Sequence, residues 1–77
     1  MNLIEAVGLR VANLLKEQIK SQYRLIKDTC LSKNAIVSII RNKSKDIKLS
    51  TIYLIAEFFE MSLSEFFACD YFKNLDV

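Results

Sequence analysis

The chain has 77 residues, of which 52% are hydrophobic and 26% charged, a composition typical of one small globular domain. One Gly and no Pro exclude a turn-rich β-sandwich or barrel, because these folds need both residues at many corners. The lack of His removes the commonest general base and metal ligand, and two Cys are too few for a structural zinc site. We therefore expect no metal, no cofactor and, without a suitably spaced nucleophile and base, no enzyme.

The sequence also lacks signals for secretion or membrane insertion. Glu5 stands where a signal peptide would carry basic residues, and no uncharged run approaches the roughly 18 apolar residues of a spanning helix. We expect a cytoplasmic protein in which Cys30 and Cys69 are reduced thiols.

The small net charge of +2 conceals an uneven distribution along the chain. Residues 16–48 carry nine basic and three acidic side chains, a net charge of +6, whereas residues 49–77 carry one basic and five acidic, a net charge of −4. This pattern predicts one face that meets a polyanion and another turned away from it, with ordinary solvated faces as the alternative.

Apolar residues at helical spacing predict an all-α chain. Ser21 and Ser32 are N-cap residues, and Ser62 with Glu65 forms a capping box before the last helix. Gly8 is unfavourable, since Gly inside a helix costs about 1 kcal/mol relative to Ala. The predicted helices cover residues 3–18, 22–29, 33–42, 49–59 and 63–68.

Two segments of this pattern have an alternative interpretation. The β-branched residues at 36–40 and 51–55 would also suit strands, but the Ser caps and the absence of hairpin turns favour helices. A polar, basic loop at 42–46 separates the third and fourth helices, and a short aromatic tail at 69–77 follows the fifth.

Two runs of residues resemble a known family. Residues 21–32 begin Ser-Gln, place Leu25 three residues after the Gln, and are similar to the helix-turn-helix of the Cro and phage-repressor type, also called the Xre family. Residues 49–67 are similar to the fourth and fifth helices of that family, so the resemblance covers about residues 7–67. It implies a single domain with a compact, five-helix, lambda-repressor-like fold and a DNA-binding helix-turn-helix at about 22–42.

The chain departs from the family pattern at four positions. Cys30, Asn42 and Glu60 stand where the family usually has Gly, at turns that often require a positive φ, which non-Gly residues seldom adopt. Ile26 replaces a customary small residue where the two helices of the motif cross. These departures concern the relative orientation of the helices more than the fold.

The resemblance implies that the third helix is a recognition helix, which enters the major groove of double-stranded DNA. The residues that would read base edges are Lys33, Asn34, Val37 and Ser38. The residues that would contact phosphates are Gln22, Arg41, Lys43, Ser44 and Lys45. The implied function is that of a sequence-specific transcriptional regulator from a bacterium or phage. Alternatively, Lys33 and Asn34 are ordinary solvated residues of a first helical turn.

The C-terminal third carries large apolar residues for which the family pattern does not account. They are Tyr53, Leu54, Tyr71 and Phe72. As an exposed group they would suggest a homodimer interface or contact with another protein. The alternative is that the tail folds back and completes a monomeric core. A second functional hypothesis is a protein-interaction module on the same fold, which uses this aromatic surface.

Overall fold

The computed structural model describes residues 1–76, which form five α-helices, one 3-10 turn and no strand. The helices are α1 (Leu3–Glu17), α2 (Gln22–Thr29), α3 (Lys33–Ile40), α4 (Leu49–Phe58) and α5 (Leu63–Phe67), and the 3-10 turn is Asp70–Phe72. The predicted all-α, five-helix fold is confirmed, and the helix limits agree within one residue except at the end of α3. Val77, the last residue of the predicted tail, lies outside the described residues.

Side-chain caps fix where most of the helices begin. The Ser21 and Ser32 hydroxyls each accept the backbone amide proton of the residue three positions on, at 3.1 Å, as predicted. Asn2 caps α1, and Ser62 forms the predicted capping box with Glu65 at the start of α5. The backbone amide of Ser62, and then its hydroxyl, lower the pKa of the Glu65 carboxyl below its ordinary value.

Four helices, α1 to α4, end at a non-Gly residue in the left-handed conformation, and three of these ends share one hydrogen-bond pattern. Ile19, Asn42 and Glu60 have φ values of 53°, 58° and 60°. At each end, the amide of this residue donates to the carbonyl three positions back, and the next amide donates to the carbonyl five positions back. Asn42 therefore belongs to the turn that closes α3, which is why that helix ends two residues before the predicted limit. These turns form without Gly, although the left-handed conformation costs a β-branched residue such as Ile19 about 1–2 kcal/mol.

The core gathers one apolar face from every helix. Its buried residues are Val7, Val11, Leu14, Leu15, Leu25, Ile36, Ile39, Ile52, Ile55, Ala56, Phe59 and Phe66. α1 and α3 approach so closely that a Cβ on Gly8 would lie 2.5 Å from the Ile39 carbonyl oxygen. Gly8 therefore permits this crossing, which accounts for a residue that lowers the helix propensity of α1.

The tail folds back over α1 and α5. The Tyr71 hydroxyl accepts a hydrogen bond from Asn13 Nδ2, and the Phe72 ring centroid lies 4.9 Å from that of Phe67 and 6.1 Å from that of Phe66. Tyr71 and Phe72 are consequently half-buried within their own chain. This packing agrees with the alternative prediction, in which the tail folds back onto the core, because the Phe72 ring packs against the apolar rings of α5.

Candidate nucleic-acid interface

α2 and α3 are joined by a tight turn at residues 30–32. Cys30 ends α2 in the left-handed conformation, with φ 60° and ψ 18°. The buried Thr29 hydroxyl donates to the Leu25 carbonyl oxygen at 2.6 Å and accepts the Leu31 amide proton at 3.4 Å. The turn thus keeps the geometry that favours Gly, and half-buried Ile26 packs against the core in place of a small residue.

α3 buries Ile36 and Ile39 and presents another face outward. The residues proposed to read bases are Lys33, Asn34, Val37 and Ser38. They share one face of the helix because they are spaced about one turn apart. Lys33 and Asn34 are exposed, whereas Val37 and Ser38 are half-buried. Within residues 1–76 the side chains of Lys33, Asn34 and Ser38 form no hydrogen bond or salt bridge, so their polar groups are available to a ligand.

The loop at residues 41–48 lies beside this face. Its predicted phosphate contacts are Arg41, Lys43, Ser44 and Lys45, of which the three basic residues are exposed and Ser44 is half-buried. A groove of about 430 Å³ separates the loop from α3, and we call it the α3 groove. Its polar lining residues are Asn34, Ser38, Ser44, Asp46, Lys48 and Thr51. The fold therefore brings Ser44 and Lys48 of the loop to the groove beside the predicted base-reading face, whereas Arg41, Lys43 and Lys45 do not line it.

Gln22, the first residue of α2, lies in a second cleft of about 320 Å³. Lys16 at the end of α1 lines the same cleft. Lys20 lines it too, but its Nζ lies 3.4 Å from the Phe58 carbonyl oxygen and 4.8 Å from the centre of the Phe58 ring. The sequence did not indicate Lys16 as a site residue, because nothing but its position in the basic middle of the chain distinguishes it from other lysines.

The family models give an independent test of this motif. The model of the Cro/C1-type HTH DNA-binding domain matches residues 10–70, a range that includes α2 to α5 and the second half of α1. The chain belongs to the Cro/C1-type helix-turn-helix family. The family predicted from the sequence is thereby confirmed, and with it a DNA-binding domain. Neither the comparison with curated proteins nor that with solved structures gave a match.

Two further findings concern this Cro/C1-type domain. In residues 1–76 no helix has the length and apolar character needed to cross a membrane. Over the same range, His, Cys, Asp and Glu form no group of three or more that could hold a metal ion. Cys30 is exposed and Cys69 half-buried, and both are free thiols.

The apolar residues predicted to form one surface have different surroundings in the Cro/C1-type domain. Tyr53 on α4 is 50% exposed, and its hydroxyl donates to Glu57 Oε2 at 3.2 Å. Leu54 is half-buried beside α2, and the two tail aromatics pack internally as described above. Leu49, one turn before Tyr53, is 62% exposed and was not picked from the sequence, although the spacing of four residues would have indicated it.

Proposed function

We propose that this Cro/C1-type domain is a sequence-specific transcriptional regulator that inserts α3 into the major groove of double-stranded DNA. Lys33 donates to guanine O6 and N7, and Asn34 pairs with adenine N6 and N7. Val37 contacts a thymine methyl group, and Ser38 reaches a base or a phosphate. Regulation follows from occupancy of the site in the cytoplasm, which blocks or recruits polymerase without any catalytic step.

The observation that carries this proposal is the free polar face of α3 in a chain from a DNA-binding family. The neighbouring polar groups are already engaged: Ser21 and Ser32 cap helices, and Arg24 Nε pairs with Asp28 Oδ2 at 3.0 Å. By contrast, Lys33 and Asn34 are exposed and make no contact of this kind within residues 1–76. Side chains that the fold does not use are the ones available to read bases.

Positive charge on both sides of this face supplies the proposed phosphate contacts. The loop side provides Arg41, Lys43, Ser44 and Lys45. The other side provides Gln22, to which we add Lys16 because it lines the same cleft. Such contacts carry no sequence information, but they supply affinity and set the register of the recognition helix.

Selection of bound duplexes from a random pool tests the proposal directly. We expect the wild type to enrich one sequence, and Asn34→Ala to lose preference at one base pair by about 1–3 kcal/mol. Lys43→Ala should weaken all duplexes about equally and reduce the salt slope by roughly one. Lys73→Ala is the matched control, since it removes an exposed positive charge from the tail, where Lys73 pairs with Asp70 at 3.2 Å.

The salt dependence separates this proposal from the interaction-module hypothesis. A DNA-binding domain should lose affinity with a slope near −0.9 in log–log form for each phosphate contacted. If the wild type shows no salt-sensitive binding to any duplex, the proposal is wrong and the interaction module is favoured.

The exposed apolar residues of α4 favour a second proposal, that two copies of the domain form a homodimer. Leu49 and Tyr53 stand one turn apart on the surface, where large apolar side chains gain from being covered. A dimer would place two recognition helices about 34 Å apart on a palindromic site. Sedimentation tests it: we expect the wild type to associate at micromolar concentration and Tyr53→Ser to be monomeric, whereas a monomeric wild type would contradict the dimer.

A further inference from the structure

One carboxylate lies among the groups proposed to contact DNA. Asp46, in the loop at residues 41–48, lines the α3 groove together with Asn34 and Ser38. Its Oδ1 accepts the backbone amide proton of Ile47 at 2.9 Å, which fixes the side chain, and Oδ2 has no partner within residues 1–76. The position differs from that of Asp28, whose carboxylate is paired with a neighbouring guanidinium.

The fold itself does not need a negative charge at this position. The hydrogen bond to the Ile47 amide requires only an acceptor oxygen, which Asn or Ser would also provide. A carboxylate near the start of α4 stabilises that helix through its dipole, but the effect does not depend on facing the groove. Against a polyanion, an unpaired carboxylate lowers affinity, since like charges repel. Asp46 is therefore unfavourable for indiscriminate binding to DNA.

We propose that Asp46 determines part of the sequence specificity, an inference that rests on the DNA-binding function proposed above. Its free carboxylate oxygen accepts a hydrogen bond from an exocyclic amino group, cytosine N4 or adenine N6, at the edge of the site read by α3. Opposite guanine O6 or thymine O4, the carboxylate faces another acceptor and stays unpaired. The residue thus rejects wrong sequences as well as recognising the right one.

The test compares Asp46→Asn with the wild type and with Asp70→Asn. Asp70 is an exposed carboxylate of the tail that pairs with exposed Lys73 at 3.2 Å, so the control makes the same chemical change and the same change in net charge, and it also removes one weak surface ion pair. Each protein is used to select duplexes from a random pool and is titrated against the selected duplex and a scrambled one. Because Asn can both donate and accept, we expect Asp46→Asn to lose preference at one base pair, with about a tenfold loss of discrimination.

The scrambled duplex gives the second expected result: Asp46→Asn should bind it more tightly than Asp70→Asn does. Asp46→Glu keeps the charge but moves it by one methylene group, and should lose the base preference without gaining affinity for the scrambled duplex. Thermal melting confirms that each variant is folded.

Two outcomes would overturn the inference in different ways. If Asp46→Asn behaves as Asp70→Asn does on every duplex, Asp46 contributes only net charge, while the DNA-binding function stands. If the wild type enriches no sequence, the proposed function itself fails, and the inference fails with it.

Discussion

Replacing Gly8 by Ala tests how closely α1 determines the position of α3, the helix proposed to read DNA. The added Cβ would lie 2.5 Å from the Ile39 carbonyl oxygen and 2.6 Å from Asn42 Oδ1. Ordinary contact begins at about 3.4 Å, so the two helices must separate by roughly 0.9 Å at this point. The obstacle at Ile39 is backbone, which cannot rotate away as a side chain can.

The magnitude follows from two opposing effects. Ala in place of Gly favours the helix by about 1 kcal/mol, whereas forcing extra volume into a packed contact costs typically about 1–3 kcal/mol. Because the close contact is with backbone, we expect the cost to lie in the upper part of this range, at about 2–3 kcal/mol, so that Gly8→Ala lowers the free energy of unfolding by about 1–2 kcal/mol. For a domain of this size that is a fall of roughly 4–16 °C in melting temperature.

Thermal melting monitored by circular dichroism measures the effect. Ala12→Gly makes the reverse change in the same helix and serves as the control for the contribution of helix propensity. Asn42→Gly, alone and combined with Gly8→Ala, separates the two contacts: it removes the amide oxygen but leaves the Ile39 carbonyl. We expect the double variant to remain destabilised relative to Asn42→Gly. A Gly8→Ala protein that melts at or above the wild-type temperature would refute the close crossing, and with it the reason given for this Gly.

Other substitutions test the left-handed positions, a cap and the tail. Ile19→Gly should raise the free energy of unfolding by about 0.5–1 kcal/mol, since a β-branched residue at φ 53° is strained and its side chain is 92% exposed. Asn42→Gly should raise it by less, because Asn tolerates the left-handed conformation better. A lower melting temperature for Ile19→Gly than for the wild type would contradict the strain. Because the folded pKa of Glu65 is lowered, its contribution to stability is complete above its ordinary value of 4.5 and is lost as the pH falls through the folded pKa. Melting temperature against pH should therefore decline less below 4.5 in Glu65→Gln than in the wild type, and parallel curves would exclude the effect. Tyr71→Phe should lose about 1 kcal/mol in thermal melting by removing the hydrogen bond from Asn13, and an unchanged melting temperature would show that the tail is not held there.

The helices were predictable because their signals are local. Ser21, Ser32 and Ser62 mark N-termini whatever surrounds them, since each cap satisfies amides within three residues. Gly8 shows the limit of such reasoning. Its low helix propensity can be read from the sequence. Its role in the close crossing of α1 and α3 depends on a contact with Ile39, more than thirty positions away in the chain, and only the fold brings the two residues together.

Only some of the residues with a left-handed backbone conformation could be predicted from the sequence. The resemblance marked Cys30, Asn42 and Glu60 as departures from Gly, and all three have a positive φ. Ile19 has the same conformation but was missed, because a β-branched residue gives no local indication of it. The packing of the tail also needed the structure: aromatic residues at 71 and 72 fit an interface or a core equally well until the partners are known.

Specificity in this domain should be separable from stability, because the groups that hold α3 at its two ends are not among those proposed to contact DNA. The Ser32 hydroxyl fixes its first turn, and the hydrogen-bonded turn at Asn42, packed against Gly8, fixes its last. Lys33 and Asn34 stand between these anchors without partners in residues 1–76, so replacing them should alter which duplex is bound and leave the melting temperature nearly unchanged. Replacing Gly8 should do the reverse, since it displaces the whole helix and weakens every duplex without changing the preferred bases.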